Sequence, residues 1–305
     1  MRKLLAVFFV SLLVLAPVEL FAQKKFTIGM TYQNLQNEFI VYIQQGARAK
    51  AAELNVNLLE SDGQGKAENQ ISQVENFIAR KVDAIILNPF DKEGCAPALD
   101  KAVAAGIPVI VCNAQVVNME KANIYIGSDD VDAGKIEMQF IADLLKGKGN
   151  IVIIHGPNGH SAEVQRTIGN KEILKKYPGI TVLFEQTANW DRAQAMNLTE
   201  NWLQTGKVIN AVVAQNDEMA LGAYKAIEAA GKQKSIPVIG IDAIPDALQS
   251  VKDGKMAATV FQDARGQGAG AVEFAVKILK GDGVPKSYFI PFILVTKANL
   301  SKFMK

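Results

Sequence analysis

The chain has 305 residues, of which 49% are apolar and 21% are charged, and its formal net charge is +2. This composition is typical of a globular protein, and the near-neutral charge shows neither the footprint of a nucleic-acid-binding domain nor an acidic tail. The length allows one large domain or two of ordinary size. With two histidines, two cysteines and no Cys-x-x-Cys, the sequence offers no metal-ligand set.

The first residues predict a secretory signal peptide. Arg2 and Lys3 precede the apolar run LLAVFFVSLLVLAPV, and the small residue Ala22 stands before Gln23. A basic start, an apolar stretch and a small residue before the cut are typical of such a peptide. We expect residues 1–22 to be removed and the rest of the chain to be exported. A retained membrane anchor is the weaker alternative, because the run is short for a span of ~20 residues.

Cys95 and Cys112 form an even pair in a chain bound for an oxidising compartment. A disulfide between them is one interpretation. Two buried thiols are the other, and the choice depends on a geometry that the sequence does not show.

Short apolar segments alternate with longer helical patterns along the chain. Segments rich in Ala, Lys and Glu, such as 40–53 and 67–80, carry apolar residues at helical spacing. This alternation predicts α/β units with mostly parallel sheets that helices cover on both faces. The ten candidate strands are 26–32, 56–61, 84–89, 108–113, 124–128, 150–156, 181–186, 211–216, 237–242 and 258–263.

Two stretches of the chain resemble each other. Each has an apolar strand that ends in Asn, a small-residue helix that ends in Ala-Gly, and a strand that opens with Pro-Val-Ile. The comparison aligns Asn88 with Asn216 and Asn113 with Asp242, which predicts two similar α/β lobes. Because ligands of open α/β sheets bind beyond the carboxyl ends of the strands, we expect these side chains on two facing walls of a cleft. The two stretches are 83–114 and 210–243.

The sequence lacks the motifs of the common enzyme classes. No G-x-x-x-x-G-K-[ST] occurs, no G-x-G-x-x-G follows a strand, and no G-x-S-x-G is present. His160 stands next to Ser161, but no third catalytic group is identifiable, so we interpret His160 as a loop side chain near the cleft mouth. His155, across a glycine turn, does not complete a metal site. We therefore predict no catalytic residue, no metal and no cofactor.

The predicted strand ends carry amides and one carboxylate instead. Asparagine donates and accepts hydrogen bonds, whereas an ionised aspartate only accepts, and a ring of hydroxyls needs this mixture. Phe39 and Trp190 add flat apolar faces for the C–H face of a sugar or cyclitol. The polar set comprises Asn88, Asn113, Asn216, Asp242 and Gln262.

Asp217 has a structural interpretation. It follows Asn216 and precedes a helical segment that ends before Gly231, so it suits the N-cap of that helix. We therefore assign the capping role to Asp217 and the ligand role to Asn216.

Nine short motifs, in their order and spacing, carry a resemblance to a known family. They are QNEFIVYIQQGA, IILNP, IPVIVCN, IGSDD, GHSAEVQRTIG, ANWDR, QNDEMALGA, VIGID and ATVFQD. From Phe26 to the C-terminus the chain resembles the periplasmic sugar-binding proteins of ABC transporters, of the ribose-binding type. The resemblance implies the type I fold of two α/β/α lobes joined by a three-strand hinge. Residues 23–128 and 263–289 would form the N-terminal lobe, and residues 129–262 and 290–305 the C-terminal lobe.

The resemblance also implies binding residues. Arg166 and Asp242 are expected to pair with each other as well as with ligand hydroxyls. The implied partners are the permease subunits of an ABC importer and a chemoreceptor, for a monomeric periplasmic protein. The implied ligand-binding residues are Asn37, Phe39, Asn88 and Asn113 in the N-terminal lobe, Arg166, Trp190, Asn216 and Asp242 in the C-terminal lobe, and Gln262 at the hinge.

Three departures from the ribose-binding pattern bear on the ligand. Asn113-Ala114 stands where ribose-type members have Asp-Arg, Trp190 where Phe is common, and Glu38 where Pro is common. Loss of the arginine opens volume and removes a bidentate donor. We therefore expect a hexose or a cyclitol such as myo-inositol, rather than ribose, to be captured in the cleft and delivered to the importer.

Other functions stand as alternatives. A sugar-responsive transcription factor shares the two-lobe fold but needs a helix-turn-helix before the first strand, where this chain has the predicted signal peptide. An exported enzyme needs a base, a metal set or a nucleophile elbow. A binding component for chemotaxis or for a quorum-signal polyol is compatible with every observation above and is the main alternative.

Overall fold

The computed structural model describes residues 25–304, and the predicted signal peptide lies outside this range. Each of the ten candidate strands is present within a few residues of its predicted bounds. In the part of the chain that is described, no helix combines the length and the apolar character needed to cross a bilayer.

The chain alternates strands and helices. The first group is β1 (Thr27–Tyr32), α1 (Glu38–Glu53), β2 (Asn57–Asp62), α2 (Ala67–Ala79), β3 (Ala84–Leu87), α3 (Ala96–Ala104), β4 (Val109–Cys112) and β5 (Ile124–Gly127). The second group is α4 (Asp130–Leu144), β6 (Lys148–His155), α5 (Ser161–Leu174), β7 (Gly179–Thr187), α6 (Arg192–Gln204), β8 (Ala211–Ala214), α7 (Asp217–Ala229), β9 (Val238–Asp242), α8 (Pro245–Asp253) and β10 (Ala258–Phe261). The last elements are α9 (Ala264–Leu279), β11 (Ser287–Phe289) and β12 (Ile293–Val295).

The strands form two six-stranded sheets with matching topology. The first sheet has the order β11-β5-β4-β3-β1-β2, and the second has the order β12-β10-β9-β8-β6-β7. Neighbouring strands are parallel, except that β12 runs antiparallel to β10. Each sheet with its helices is called a lobe below, the first lobe containing β1 and the second containing β6. The predicted fold of two similar, mostly parallel α/β lobes is confirmed.

Apolar clusters cover both faces of each sheet. In β3, Ile85 and Leu87 face a cluster under α2 and α3, whereas Ile86 faces the cluster under α1 and α9. In the second lobe, α6, α7 and α8 cover one face and α4 and α5 cover the other. Every residue of β3, β4, β8 and β9 is buried, as expected for strands between two helical layers.

The chain passes between the lobes three times. The passages follow β5, join β10 to α9, and lie between β11 and β12. Helix α9 belongs to the first lobe, because it contacts α1 and strands β3, β4 and β5. Strands β11 and β12 are absent from the candidate strands, because each has only three residues, too few to form a recognisable pattern.

Cys95 and Cys112 are both buried free thiols. Cys95 lies in the cluster under α2 and α3, and Cys112 lies in the cluster under α1 and α9, on the opposite face of the first sheet. Side chains on opposite faces of a sheet do not meet, so the interpretation as two thiols is correct. Burial raises the pKa of the Cys112 thiol to about 12.

Glycines allow helix pairs to approach closely. A Cβ atom added to Gly268 of α9 would collide with the carbonyl oxygen of Ile43, and one added to Gly46 of α1 would collide with the backbone of α9. In the second lobe, Gly134 of α4 meets the carbonyl oxygen of Arg166 in α5 in the same way. The close α4–α5 contact therefore also positions a predicted binding residue.

Replacing Gly268 by alanine is expected to lower the free energy of unfolding by about 1–3 kcal/mol, because the added methyl group overpacks the α1–α9 contact. In a helix without such a contact, alanine is more stable than glycine by ~1 kcal/mol. A loss of stability in Gly268→Ala would therefore indicate that the methyl group collides with α1. Gly283→Ala, in the loop after α9, is the control for the removal of a glycine alone, since no atom lies within 4 Å of the added methyl group. Urea unfolding measures both variants, and equal stability would contradict the packing account.

Candidate functional site

A cavity lies between the two lobes at the carboxyl ends of their strands. The space between its walls, counted out into the surrounding solvent, is about 340 Å³. Eight of the nine predicted binding residues line it, and Asn88 is the exception. The lining residues are Gln33, Asn37, Phe39, Ile40, Asn113, His160, Ala162, Arg166, Trp190, Asn216, Asp242 and Gln262.

Three helices begin at the cavity, and their N-cap residues line it. Oδ1 of Asn37 accepts a hydrogen bond from a backbone N–H in the first turn of α1 (2.9 Å). Oδ1 of Asn216 does the same for α7 (2.9 Å), and Nδ1 of His160 does so for α5 (3.2 Å). Because each asparagine uses its oxygen on a helix, its N–H groups are the part left for the cavity.

The predicted division of roles between Asn216 and Asp217 is wrong in one respect. Asn216, and not Asp217, is the N-cap of α7. The buried Asp217 carboxylate instead accepts hydrogen bonds from Oγ1 of Thr259 (2.7 Å) and from the backbone N–H of Ile244 (3.0 Å). Asp217 therefore has a structural role through tertiary contacts, while Asn216 both caps the helix and lines the cavity.

Asn88 is fully buried behind the cavity wall. Its Oδ1 accepts from the backbone N–H of Gln33 (3.2 Å), and its Nδ2 donates to the carbonyl oxygen of Cys112 (3.1 Å). Nδ2 also lies 3.4 Å from Oδ1 of Asn113. Asn88 thus holds together two segments that line the cavity, which are the ends of β1 and β4.

The second lobe repeats this support with Gln215. Oε1 of Gln215 accepts from the backbone N–H of Gly156, the residue after β6 (3.0 Å), just as Asn88 accepts from Gln33 after β1. The structural counterpart of Asn88 is therefore Gln215, and the alignment with Asn216 is wrong by one residue. In the second lobe only residues 215 and 216 separate β8 from α7, so Asn216 caps the helix at the cavity, whereas residues 88–95 separate β3 from α3 in the first lobe.

The backbone is strained at the same point of each lobe. Asn113 follows β4 with a φ of 67°, and Asp242 ends β9 with a φ of 132°. Residues other than glycine adopt such positive φ values rarely, and they often do so at binding sites. The structure therefore supports the alignment of Asn113 with Asp242.

Asp242 presents an unpaired carboxylate to the cavity. Among residues 25–304, no group donates a hydrogen bond to it, although it is buried. Burial raises the pKa of Asp242 well above its usual range, the Asp217 carboxylate raises it further, and Arg166 opposes the shift. A hydroxyl that donates to this carboxylate stabilises its charged form.

Arg166 is held by three groups. Nε pairs with Oδ1 of Asp130 (2.9 Å), Nη2 donates to Oε1 of Gln262 (3.2 Å), and Nη1 donates to the carbonyl oxygen of Gln215. The predicted ion pair of Arg166 with Asp242 is wrong, because Asp130 in the first turn of α4 takes the guanidinium. A guanidinium has five N–H groups, so two are left for the cavity.

Phe39 and Trp190 contribute aromatic rings from different lobes. Phe39 lies in the first turn of α1, and Trp190 lies in the loop before α6. The indole packs on Gly156, where any Cβ atom would collide with it. The Trp190 ring also lies 5.5 Å from the His160 ring, centroid to centroid. The cavity therefore has apolar surfaces beside its polar groups.

Four side-chain amides in the cavity have NH₂ groups with no partner in the described part of the chain. Nε2 of Gln262 is buried as well as unpaired. Together with Asp242 and Arg166, these amides complement a molecule that carries several hydroxyls. No three His, Cys, Asp or Glu side chains of residues 25–304 converge as metal ligands do. The unpaired atoms are Nε2 of Gln33 and Gln262 and Nδ2 of Asn37 and Asn216.

The sequence interpretation missed Gln33 and misplaced His160. His160 is buried in the cavity and not a loop side chain at the cleft mouth, and its Nε2 lies 2.8 Å from Oε1 of Gln33. Burial, and then the charge of Arg166, lower the pKa of His160 to about 3, so the ring is neutral. Their positions in the sequence could have indicated both residues, since Gln33 directly follows β1 and His160 directly precedes α5.

The two lobes contact each other around the cavity. The backbone N–H of Lys92 donates to the carbonyl oxygen of Gly159 (3.1 Å), and that of Gln115 donates to Oγ of Ser161 (2.8 Å). Nε2 of Gln165 donates to Oε1 of Gln115 (3.0 Å). The structure is therefore a closed form, in which the start of α5 touches two loops of the first lobe.

Asn216→Ala is expected to lower the free energy of unfolding by about 1 kcal/mol, because α7 loses its cap. Asn216→Ser keeps a capping oxygen and should stay within about 0.5 kcal/mol of the parent. Urea unfolding of the ligand-free protein distinguishes the two, and equal losses would contradict the capping role.

Comparisons with known proteins cover most of the chain. Residues 28–283 match the periplasmic binding protein domain. The putative rhizopine-binding protein of Rhizobium meliloti is 40% identical over 284 residues, which cover 91% of this chain and 92% of the relative. The ribose import binding protein RbsB of Escherichia coli is 35% identical over 282 residues, which cover 92% and 94% of the two chains.

A solved structure agrees with these matches. An ABC transporter solute-binding protein from Bacillus halodurans, with bound myo-inositol, is 43% identical and superposes with a TM-score of 0.89, covering 92% of this chain and 97% of that chain. These relatives are binding proteins and not enzymes. The chain therefore belongs to the family of periplasmic binding proteins and has their type I fold.

Proposed function

We propose that the chain captures a monosaccharide or a cyclitol in the cavity between its lobes. The observation that carries this proposal is the set of unpaired amide donors around one unpaired carboxylate, beside the rings of Phe39 and Trp190. A polyhydroxylated ring matches them, because its hydroxyls donate to Asp242 and accept from the amides while its C–H faces contact the aromatic rings. A ligand with fewer hydroxyls leaves buried amides unpaired, at about 1–3 kcal/mol each.

The proposed ligand is a hexose or myo-inositol in preference to ribose. Ala114 carries a methyl group where ribose-type members carry a guanidinium, which leaves more room and one bidentate donor fewer. The Asn113 side chain is a neutral amide where those members carry a carboxylate. Its Nδ2 donates to Oε1 of Gln267 (3.0 Å). The myo-inositol bound to the Bacillus halodurans relative supports the cyclitol.

Capture follows from the division of the polar groups between two lobes. In an open cleft, water satisfies Gln33 and Asn37 on one wall and Asn216 and Asp242 on the other. In the closed form, a ligand that spans the cavity satisfies both walls at once. Such a ligand stabilises the closed form by its differential affinity, and the three passages between the lobes are the hinge.

Calorimetry on the exported protein, freed of bound ligand by unfolding and refolding, tests the ligand class. We expect myo-inositol or one hexose to bind at least about tenfold more tightly than ribose, because one additional hydroxyl that meets a buried amide contributes about 1–3 kcal/mol. Tight binding of ribose alone would leave capture intact and overturn the proposed preference. Absence of binding by pentoses, hexoses, cyclitols and linear polyols would overturn the proposed function.

Asn37→Ser and Asn216→Ser separate ligand binding from folding, since serine keeps each capping oxygen and removes the amide N–H groups. Each substitution is expected to weaken binding by about 1–3 kcal/mol, which is roughly 5- to 150-fold in Kd. The two variants probe opposite lobes. A loss confined to one of them would therefore contradict a ligand shared between the lobes.

We place the protein in the periplasm, where it delivers its ligand to an ABC importer. The predicted signal peptide over residues 1–22 and membership of the periplasmic binding protein family support this. Deletion of the gene is expected to abolish uptake of labelled ligand at concentrations near Kd, because the closed form would no longer reach the permease, and a plasmid copy should restore uptake. Unchanged uptake with loss of chemotaxis towards the ligand would favour the sensory alternative.

A further inference from the structure

His160 bridges the two lobes at the cavity. On the second-lobe side, its Nδ1 accepts a hydrogen bond from the backbone N–H of Ala162 and caps α5 (3.2 Å). On the first-lobe side, its Nε2 lies 2.8 Å from Oε1 of Gln33. Because Nδ1 is an acceptor, the neutral ring carries its hydrogen on Nε2, and Nε2 donates to Gln33. The helix cap therefore selects the tautomer that makes the contact between the lobes.

Gln33 is oriented by two hydrogen bonds. Its backbone N–H donates to Oδ1 of Asn88 (3.2 Å), and its Oε1 accepts from His160 (2.8 Å). With the oxygen taken, the NH₂ group is the part of the Gln33 amide left for the cavity, which Gln33 lines. Without the ring of His160, the amide is free to turn and to present its oxygen instead. The ring thus decides that Gln33 offers donors to a ligand.

We propose that His160 is a positioning residue for ligand capture, whose neutral ring holds the Gln33 amide towards the ligand and whose protonation opposes closure of the lobes. The inference rests on the proposed function and deepens it by assigning the pH dependence of capture to one side chain. A protonated ring fails at the cap, because Nδ1–H no longer accepts from Ala162. It also places a positive charge at the positive end of α5.

The closed cavity disfavours a charged ring. The rings of Phe90 and Trp190 lie 6.5 and 5.5 Å from the His160 ring, centroid to centroid, and His160 is 3% exposed. Burial and the charge of Arg166 lower the pKa of His160 to about 3. When the lobes separate, the ring meets water, and its pKa returns towards the ordinary value of about 6.5.

Carboxylates around His160 do not offset these effects. Glu163 lies on α5 itself but accepts from Oγ1 of Thr167 (3.2 Å), and Asp191 caps α6. Asp91 lies beside Gly159 in the loop after β3. The elements packed around the ring carry six charged side chains, and among them only Arg166 shifts the pKa of His160. They are Arg166 and Glu163 of α5, Asp242 of β9, Asp91 and Lys92 in the loop after β3, and Asp191 before α6.

The direction of the pH effect follows from the difference in the pKa of His160 between the closed and the open form of the protein. The closed form binds a proton on His160 less readily than the open form, so capture releases a proton at pH values below about 6.5. Affinity is therefore insensitive to His160 above about pH 7 and weakens as the pH falls through about 6.5. Between about pH 7.5 and pH 5.5, the expected loss in Kd is about tenfold.

Calorimetry with myo-inositol, or with the hexose that binds most tightly, tests the inference on the full exported protein at about pH 7.5 and pH 5.5. His160→Asn is the matched variant, because asparagine keeps a capping oxygen, does not titrate and is too short to reach Gln33. We expect the parent to weaken about tenfold at the lower pH and to release close to one proton, measured from binding heats in two buffers of different ionisation enthalpy. His160→Asn is expected to bind more weakly at the higher pH and to lose both effects. Titration of Asp242 is common to both proteins and cancels in the comparison.

Gln33→Leu supplies a second test at the higher pH. Because His160 acts through Gln33, adding His160→Asn to Gln33→Leu should cost little further affinity. Full additivity of the two substitutions overturns the positioning role. Ligand binding with the same pH profile in the parent and in His160→Asn overturns the inference and leaves the proposed function intact. If no sugar or cyclitol binds the parent, the proposed function fails and the inference fails with it.

Discussion

The donor pattern of the cavity depends on where three helices begin. An α-helix leaves its first backbone N–H groups unpaired, and at this cavity side chains that also line it satisfy them. For Asn37 and Asn216, the cap engages the amide oxygen and leaves the NH₂ group for the cavity that both side chains line. A cap is worth about 1 kcal/mol, which favours this orientation over the turned amide by about fivefold. For His160, the same constraint selects the tautomer that bonds to Gln33.

The two lobes share their supports but differ in charge. Asn88 and Gln215 hold the strand ends from behind in the same way, whereas Asn113 and Asp242 give the two walls different electrostatics. The lining residues of the first lobe are neutral, and the charged ones, Arg166 and Asp242, belong to the second. Hydrogen bonds to charged groups are stronger than neutral ones, so a polar ligand in the cavity would find its stronger partners in the second lobe and its neutral partners in the first.

The amino-acid pattern predicts the fold and most of the cavity, because each buried strand appears in the sequence as a continuous apolar run. The end of such a run marks the end of the strand, where the cavity residues lie. Placing Asn113 and Asp242 at the cavity followed from that reasoning. The position of Asn88 did not follow, since a shift of one residue between lobes decides whether a side chain faces the cavity or supports it from behind. The partner of Arg166 was also missed, because Asp130 lies 36 residues earlier in the chain and reaches it only through the α4–α5 contact.

His160 shows a further limit of reasoning from the chain alone. A lone histidine beside a serine gives no pattern from which to infer burial, and its contact with Gln33 spans 127 residues. Only the closed arrangement of the lobes brings the two together. The same holds for the short strands β11 and β12, whose pairing depends on sheets already formed by longer strands.

A crystal structure of the protein with myo-inositol bound tests the central claim most directly. The account predicts a single ring in the cavity, with the amide nitrogens of Asn37 and Asn216 and the carboxylate of Asp242 each within hydrogen-bonding distance of a hydroxyl. A ligand held by the groups of one lobe alone, or one that lies outside the cavity, would contradict it.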